Sequence, residues 1–239
     1  MDDDSAAGEV IVWRVAIPGS LPARAASWLH AAEIERARRY HREEDALRFT
    51  SVRAAARRIL AERLRITPQQ VVFNESPTGK PFVAATLGPP TEFNVAHSGG
   101  LGLLAVSTLG PVGVDLESID HARPHLEAVE PYLGNEERRA IAILPPAARS
   151  RFLIESWVMR EAMVKAIGVG LGGVDLRALQ RPKGSGLGTV RIPAPHPFDH
   201  PQGWWLRWLE AGPEYIAAVV TAGCPKAIQV RDFVWDTIA

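Results

Sequence analysis

The stretch ESWVMREAMVKAIGVGL, residues 155–171, decides the fold of the second half of the chain. Its apolar residues recur every four positions, which predicts a helix with one buried stripe. That stripe starts one residue before the stretch, at Ile154, and continues with Val158, Ala162 and Ala166. The adjacent row ends in Glu161 and Lys165, which in an ordinary solvated helix form an ion pair worth about 0.3–0.5 kcal/mol. Their place beside a core stripe raises the alternative that they bind a ligand.

Two further carboxylates lie in the strand-like segment PVGVDLE, residues 111–117. Strand alternation puts Asp115 and Glu117 on one face, roughly 7 Å apart, and leaves the other face apolar. Taken alone, the pair fits a solvated polar face. It also fits a hard-cation site, because Mg²⁺ takes oxygen ligands from one or two carboxylates and completes its shell with waters and phosphates. Glu161 is the candidate for a third carboxylate.

Composition excludes several classes of protein. The chain has 239 residues, is 46% hydrophobic and carries 27 basic and 27 acidic residues, so no global charge attracts nucleic acid or an anionic membrane. The single cysteine, Cys224, excludes an internal disulfide framework. No signal peptide and no apolar run long enough for a membrane span are evident. These features predict a cytoplasmic protein with one or two globular cores.

The order of elements predicts an internal duplication. The first half reads as a strand (10–18), a helical region (27–65) broken near residues 40–41, and a small sheet with a hairpin at Gly99-Gly100. The second half repeats this order, with a strand over 111–117, a helical stretch from about His125 to Ile167, and a sheet. The Pro/Gly-rich segment 181–200 reads as a loop and hairpin that contains the strand-like GTVRIP. We therefore expect an α+β fold of two similar lobes, each a small antiparallel sheet with packed helices. The expected boundaries are an acidic flexible N-terminus over 1–9, an N-terminal lobe over 10–110 and a C-terminal lobe over 111–239.

Basic residues of the first half are candidates for anion binding. Ten arginines fall between residues 36 and 65, and many must solvate helix faces. Those near the expected helix break are the better candidates, namely Arg36, Arg39 and Arg48. Lys80 follows a Pro-Thr-Gly turn, and His97 and Ser98 stand at the entrance of the hairpin.

Four blocks in this order resemble the Sfp-type 4'-phosphopantetheinyl transferases. The blocks are GKP (79–81), FNVAHS (93–98), GVDLE (113–117) and WVMREAMVKAIGVGL (157–171). The arginine-rich segment 36–49 is similar to the first helical region of that family. The resemblance implies a pseudo-twofold monomer with the 4'-phosphopantetheinyl transferase fold and coenzyme A in the cleft between its lobes.

The resemblance also implies a reaction and a set of site residues. Phosphopantetheine would pass from coenzyme A, the substrate, to a serine of an acyl, aryl or peptidyl carrier protein, releasing 3',5'-ADP. Asp115, Glu117 and Glu161 would hold Mg²⁺, with Mn²⁺ as a substitute, and Lys165 would contact the diphosphate. The nucleotide and its phosphates would meet the basic and polar set Arg36, Arg48, Lys80, His97 and Ser98.

The identity of the general base stays open at this stage. Glu137 matches the family position best, Glu136 is one residue away, and water is the third alternative. The chain departs from the family pattern at Arg160, where lysine is usual, and at Ala96, where serine is common. Polyketide or nonribosomal peptide synthesis in secondary metabolism is the expected pathway. Competing functions are a non-catalytic coenzyme A or carrier-protein binding module and a Mg²⁺-dependent nuclease.

Overall fold

The computed structural model describes residues 8–83, 91–179, 181–182, 188–194 and 196–235, so most of the predicted acidic N-terminus lies outside the described residues. The strands are β1 (Glu9–Ala16), β2 (Phe73–Glu75), β3 (Pro81–Val83), β4 (Glu92–Ser98), β5 (Leu101–Ser107), β6 (Val112–Ser118), β7 (Val190–Ile192), β8 (Trp204–Leu209), β9 (Tyr215–Ala222) and β10 (Ala227–Phe233). The α-helices are α1 (Ala23–Ala26), α2 (Ala31–Ala37), α3 (Glu43–Leu64), α4 (Ile119–Ala122), α5 (Asn135–Ala142) and α6 (Pro146–Ile167).

One long helix dominates each half of the chain. Both α3 and α6 have 22 residues, and both end at a residue in the left-handed conformation, Arg65 (φ 56°) and Gly168 (φ 82°). Acidic residues fill the first turn of α3, where they complement the helix dipole. Proline at the first position of α6 is preorganised for a helix start, and glycine at its end adopts the positive φ without strain.

Two four-stranded sheets repeat one pairing pattern. In the first sheet β1 pairs with β5 and β5 with β4, all antiparallel. In the second sheet β6 pairs with β9 and β9 with β8, again antiparallel, and β7 adds an edge. The first strand of each half thus pairs with the last strand of that half's hairpin. The predicted α+β fold of two similar lobes is confirmed.

The last strand crosses from the second half to the first sheet. Residues 227–233 fall within the predicted C-terminal lobe, but β10 pairs in parallel with β1, with Val12 opposite Val230. This pairing covers the outer edge of β1 and buries Ile228 against the common core. A boundary at residue 111 therefore does not separate the two sheets completely.

The expected start of the helical stretch in the second half needs correction. The predicted helical stretch from His125 begins with short 3-10 turns over 123–128 and 130–132 instead of α-helix, and α5 starts only after Gly134. The strand predicted within the Pro/Gly-rich segment 181–200 is confirmed as β7, which pairs with β8. Residues 183–187 and 195 of this segment lie outside the described residues.

The two sheets meet where β4 runs beside β6. Asn94 Oδ1 accepts a hydrogen bond from Val114 N at 3.0 Å, and Ser98 Oγ accepts one from Ser118 N at 3.0 Å. Beneath this junction the apolar face of β6 packs on the first sheet in a shared core that includes Val12, Leu103, Val114, Leu116 and Val219. The other face of β6, which carries Asp115, is covered by α6. None of the helices within the described ranges is long and apolar enough to cross a membrane.

Candidate active site

A cavity of about 360 Å³ opens between the two halves of the chain. Its first wall comes from α2, α3, the turn before β3, and β4, and its second from α6 and the glycine-rich segment that follows. Arg36 and Arg53 lie on the first wall, and Glu161 and Lys165 on the second. The cavity therefore offers basic groups on one side and a mixed acidic and basic cluster on the other.

The acidic cluster forms around Lys165. Its Nζ donates a hydrogen bond to Asp115 Oδ1 at 2.6 Å and lies 3.9 Å from Glu161 Oε2. Asp115 is only 5% exposed, because α6 covers its face of the strand. The solvated-face alternative for β6 is therefore wrong, and the Glu161–Lys165 pair is not an isolated surface pair.

Gly113 makes this close packing of α6 on β6 possible. A Cβ added at Gly113 would lie 2.0 Å from the carbonyl oxygen of Ala162 and 2.3 Å from the backbone nitrogen of Ala166. Both distances are far below van der Waals contact, and both atoms belong to helix backbone that cannot move alone. Any side chain here would push away the helix that carries Glu161 and Lys165. The glycine of the GVDLE block is thus required by packing.

Burial and crowding shift the titration of the cluster. Desolvation raises the pKa of Asp115 to about 7, with Lys165 opposing the shift and Glu161 adding to it. Desolvation also raises the pKa of Glu117. For Lys165, desolvation alone would lower the pKa, but the charges of Asp115 and Glu161 raise it overall. Three carboxylates, those of Asp115, Glu161 and Glu117, surround the single ammonium of Lys165, so the cluster has more acidic than basic groups.

The oxygen ligands of the cluster suit a divalent cation, but the protein by itself does not supply a complete set of ligands. Asp115 Oδ2 is buried and has no hydrogen-bond partner, so an acceptor oxygen is open for a ligand. Over the ranges the structure describes, no three histidine, cysteine or acidic side chains converge closely enough to hold a metal ion by themselves. Mg²⁺ commonly needs only one or two carboxylates, with waters and substrate phosphates completing its octahedron. The metal set Asp115, Glu117 and Glu161 stays a prediction.

Ser98 contacts Glu117 and not the cavity. Its hydroxyl donates to Glu117 Oε2 at 2.8 Å while accepting from Ser118 N. The serine predicted as a nucleotide contact thus fixes the carboxylate of Glu117 and ties β4 to β6. Its side chain is buried, which agrees with this internal role.

His97 points the other way, into the cavity. Although part of the ring is exposed, desolvation by the cavity walls lowers its pKa to about 4, and the nearby charges of Lys165 and Arg48 act in the same direction. The imidazole is therefore neutral at physiological pH and can donate one hydrogen bond to a phosphate oxygen without carrying charge.

Two of the three candidate arginines of the first half, Arg36 and Arg48, are already paired. Arg36 lies on the cavity wall, 3.2 Å from Glu75 Oε1, and its guanidinium stacks over Phe49. Arg48 pairs with Asp45 and reaches the carbonyl of Gly99 at 3.4 Å, within electrostatic range of His97. Arg36 can bind a ligand only if its guanidinium contacts the ligand and Glu75 together or if its ion pair with Glu75 breaks.

Arg53 is a cavity residue that the sequence analysis missed. It is 8% exposed, and its guanidinium stacks between the rings of Phe49 and Phe73 at 5.5 and 5.0 Å. No carboxylate of the described residues lies within ion-pair distance of it, and desolvation lowers its pKa. The available signal was an arginine four residues after Phe49 on the buried face of a helix.

Lys80 also has protein partners. Its Nζ donates to the carbonyl oxygens of Val112 at 3.1 Å and Ala166 at 3.4 Å, and desolvation lowers its pKa. The side chain lines the cavity, as predicted, but the contacts that the structure gives it are to β6 and α6.

Glu137 is engaged in buried contacts within the second half of the chain. It is 5% exposed, caps the start of α5 by accepting from Gly134 N at 2.9 Å, and forms a buried ion pair with Arg160. The guanidinium of Arg160 also donates to the carbonyls of Leu176, Ser156 and Leu179. A planar fork with several donors suits this site, which gives arginine here a structural reason. Glu136 is exposed beside Arg177 in a separate surface groove.

Comparisons with known proteins agree with this architecture. Residues 111–220 match the 4'-phosphopantetheinyl transferase superfamily, and residues 21–109 match the 4'-phosphopantetheinyl transferase N-terminal family. A Synechocystis protein, provisionally named a 4'-phosphopantetheinyl transferase, is 37% identical over 61% of this chain and 59% of its own length. The 4'-phosphopantetheinyl transferase HetI of Nostoc is 29% identical over 70% of this chain and 72% of its own.

A third relative, the 4'-phosphopantetheinyl transferase psf-1 of Bacillus pumilus, is 28% identical over 74% of this chain and 72% of its own. The two matched families meet at residues 109 and 111, which is the junction between β5 and β6. Both lobes and the elements that carry the acidic cluster therefore fall within matched ranges. The chain belongs to the 4'-phosphopantetheinyl transferase superfamily.

Proposed function

We propose that this chain transfers phosphopantetheine from coenzyme A to a serine hydroxyl of an acyl, aryl or peptidyl carrier protein and releases 3',5'-ADP. The observation that supports this most directly is the cluster of Asp115, Glu161 and Lys165 at the edge of an inter-lobe cavity whose opposite wall is basic. A ligand with anionic groups at two separated positions, such as coenzyme A, matches that distribution of charge.

Binding would use the two walls differently. Arg36 and Arg53 face the cavity from the first half and would attract the phosphate on the ribose. Lys165 would meet the diphosphate from the second wall, and neutral His97, on β4 of the first wall, would donate a hydrogen bond to it. When bound to Asp115, Glu161 and Glu117, a divalent cation, Mg²⁺ or Mn²⁺, would supply Lewis-acid polarisation of the diphosphate oxygens.

The transfer forms a bond between the serine oxygen and the phosphorus on the pantetheine side of the diphosphate. It breaks the bond from that phosphorus to the bridging oxygen, which leaves on 3',5'-ADP. Lys165 is held in place by Asp115 and would offset the negative charge that develops on this leaving group. Such a displacement needs positioning and charge neutralisation more than covalent participation by the protein.

Water is the proposed acceptor of the serine proton. Glu137 is closed off by Arg160, and Glu136 lies in a groove that shares no lining residue with the cavity. Of the three alternatives for the base, water alone requires no rearrangement of these side chains.

Intact-protein mass spectrometry tests the proposal. A purified apo carrier protein would be incubated with this enzyme, coenzyme A and Mg²⁺, alongside an EDTA control. We expect a mass gain of one phosphopantetheine that EDTA abolishes. Binding of coenzyme A without any gain on acyl or peptidyl carriers would favour the binding-module alternative. A monomeric state, a cytoplasmic location and a carrier from polyketide or nonribosomal peptide synthesis stay predictions.

A further inference from the structure

Lys80 reaches across from the first half of the chain to the seam between β6 and α6. Its two acceptors are the carbonyl oxygen of Val112, at the start of β6, and that of Ala166, in the last turn of α6. An ammonium group at the C-terminal end of a helix is favoured by the helix dipole and satisfies a carbonyl without an intrahelical partner. One side chain thus binds a strand and a helix of the other half simultaneously.

The strand and the helix are in close backbone contact at the seam under Lys80. The backbone nitrogen and Cα of Ala166 occupy the space that a Cβ at Gly113, next to Val112, would need. Both acceptors of Lys80 therefore belong to residues at this contact or adjoining it. Asp115 lies three residues along β6, and Lys165 precedes Ala166 on α6. A change of spacing at the seam would move these two side chains relative to each other.

A second contact from the same turn reinforces the first. Thr78 Oγ1 donates to the carbonyl oxygen of Gly168 at 2.5 Å, just beyond the end of α6. The turn itself is closed by hydrogen bonds from Gly79 N to Ser76 O at 2.8 Å and from Lys80 N to Ser76 Oγ at 3.0 Å. Residues 76–80 thus form a turn that is closed by its own hydrogen bonds and that contacts the end of α6 through two side chains, Thr78 and Lys80.

We propose that Lys80 is a positioning residue: it holds α6 against β6 and thereby sets the spacing of Glu161 and Lys165 from Asp115, instead of binding a phosphate. This inference rests on the proposed transferase function for its kinetic consequences. The structural role of Lys80 does not depend on that function, because it predicts the amide hydrogen exchange at the end of α6, which can be measured without substrate.

The two roles of Lys80 predict different defects. A phosphate ligand would be needed for 3',5'-ADP affinity. A residue that positions the acidic cluster would instead be needed for metal activation, since supporting groups behind metal ligands typically change metal affinity or activity by about 10- to 100-fold. Lys80→Met removes the ammonium and keeps much of the apolar stem. Thr78→Val removes only the hydroxyl contact, and Thr78→Ser restores it.

The experiment measures four quantities for each variant: kcat, the Mg²⁺ concentration for half-maximal activity, the Kd of 3',5'-ADP without metal, and amide hydrogen exchange over residues 162–168. For Lys80→Met we expect a lower kcat, a Mg²⁺ requirement raised about tenfold, an unchanged Kd of 3',5'-ADP and faster exchange. Thr78→Val should change the same quantities in the same direction, and Thr78→Ser should resemble the wild type. Arg58→Met, which removes an exposed cation on α3, is the matched control.

Two outcomes would overturn the inference. One is a weakened Kd of 3',5'-ADP in Lys80→Met with an unchanged Mg²⁺ requirement, which would make Lys80 a phosphate ligand. The other is unchanged exchange over residues 162–168. If the wild type transfers nothing to any carrier, the proposed function fails by itself, while the exchange measurement still decides the role of Lys80. If Lys80→Met does not fold, the comparison of Thr78→Val with Thr78→Ser tests the inference instead.

Discussion

Lys165 Nζ and Asp115 Oδ1 lie 2.6 Å apart although the residues are 50 positions apart in the chain. The contact exists because Gly113 lets α6 lie directly on β6, so the helix row ending in Lys165 faces the acidic side of the strand. The ammonium neutralises one carboxylate, while Glu161 and Glu117 add negative charge nearby. The cluster is thus arranged to accept further positive charge, and this relationship underlies the first three predictions.

Asp115→Asn should abolish metal-dependent transfer without unfolding the protein. The amide keeps the shape of the side chain but loses the negative charge and the unpartnered Oδ2 acceptor that the proposed metal site would use. Burial raises the pKa of Asp115, so removing its charge relieves a desolvation cost. Lys165 is partly exposed and keeps Glu161 as a partner at 3.9 Å, so the free energy of unfolding should not fall markedly. Turnover with saturating Mg²⁺ and a thermal melt measure both effects.

Glu161→Gln is the companion variant and should show the same loss of turnover. Glu155→Gln on the same helix tests specificity, because Glu155 pairs with Arg151 and Arg181 away from the cavity. That control should retain transfer in the folded protein. Near-full activity in Asp115→Asn would remove Asp115 from the metal site.

Lys165→Met should lower kcat more than it weakens coenzyme A binding. The ammonium is held in place by Asp115, so its greatest gain comes when charge develops on the leaving 3',5'-ADP. Steady-state kinetics together with a direct measurement of the coenzyme A Kd separate the two effects. An equal loss in kcat/KM and in affinity, with kcat unchanged, would assign Lys165 to ground-state binding.

Metal affinity should rise with pH through about 7. The pKa of Asp115 is raised from 3.8 to about 7 in the metal-free chain, so below that pH a proton occupies the carboxylate that the cation needs. The apparent affinity for Mn²⁺ should therefore fall by up to about tenfold for each pH unit below 7 and level off above it. His97, with a pKa of about 4, stays neutral across this window.

Titration of Mn²⁺ binding at about pH 6 and about pH 8 checks this dependence. Asp115→Asn is the control, since it should bind weakly at both values with little pH dependence. An Mn²⁺ affinity in the wild type that does not change with pH would mean that protons and the metal ion do not compete for Asp115.

Glu137→Gln should destabilise the protein instead of selectively slowing the reaction. It leaves the buried guanidinium of Arg160 without a carboxylate, and breaking a buried ion pair costs about 3–5 kcal/mol. For a chain of this length the melting temperature should fall by roughly 10 °C. Assays below the melting transition should show kcat close to the wild-type value.

Glu136→Gln is the matched control, because its exposed side chain should tolerate the change. A large loss of kcat in Glu137→Gln with an unchanged melting temperature would restore Glu137 as the base.

The elements that local patterns determine were predictable from the sequence. Strand alternation put Asp115 and Glu117 on one face, and the four-residue spacing put Glu161 and Lys165 on one helix row; the structure brings Asp115, Glu161 and Lys165 together. Their burial was not predictable, because it depends on α6 covering β6 through Gly113, a contact between segments far apart in sequence.

Roles that depend on partners elsewhere in the chain were harder to predict. Residue type alone does not tell a base from an ion-pair partner, and Glu137 meets Arg160 only through the packing of α5 on α6. Ser98 has the chemistry of a phosphate contact, yet the nearby edge of β6 supplies both of its partners. Likewise, the alternating pattern of β10 predicts a strand but does not say which sheet edge it joins.

Arg53→Met should remove the preference of the enzyme for coenzyme A over dephospho-coenzyme A, which lacks the phosphate on the ribose. Arg53 faces the cavity from between two aromatic rings and has no ion-pair partner in the described residues, so a ligand phosphate would complete its environment. Loss of a charge-assisted contact should weaken coenzyme A binding about tenfold or more and leave dephospho-coenzyme A binding nearly unchanged. Calorimetric titration of both ligands into the wild type, Arg53→Met and the surface control Arg58→Met completes the comparison. Equal weakening of both ligands would instead mean that Arg53 supports the packing of Phe49 and Phe73.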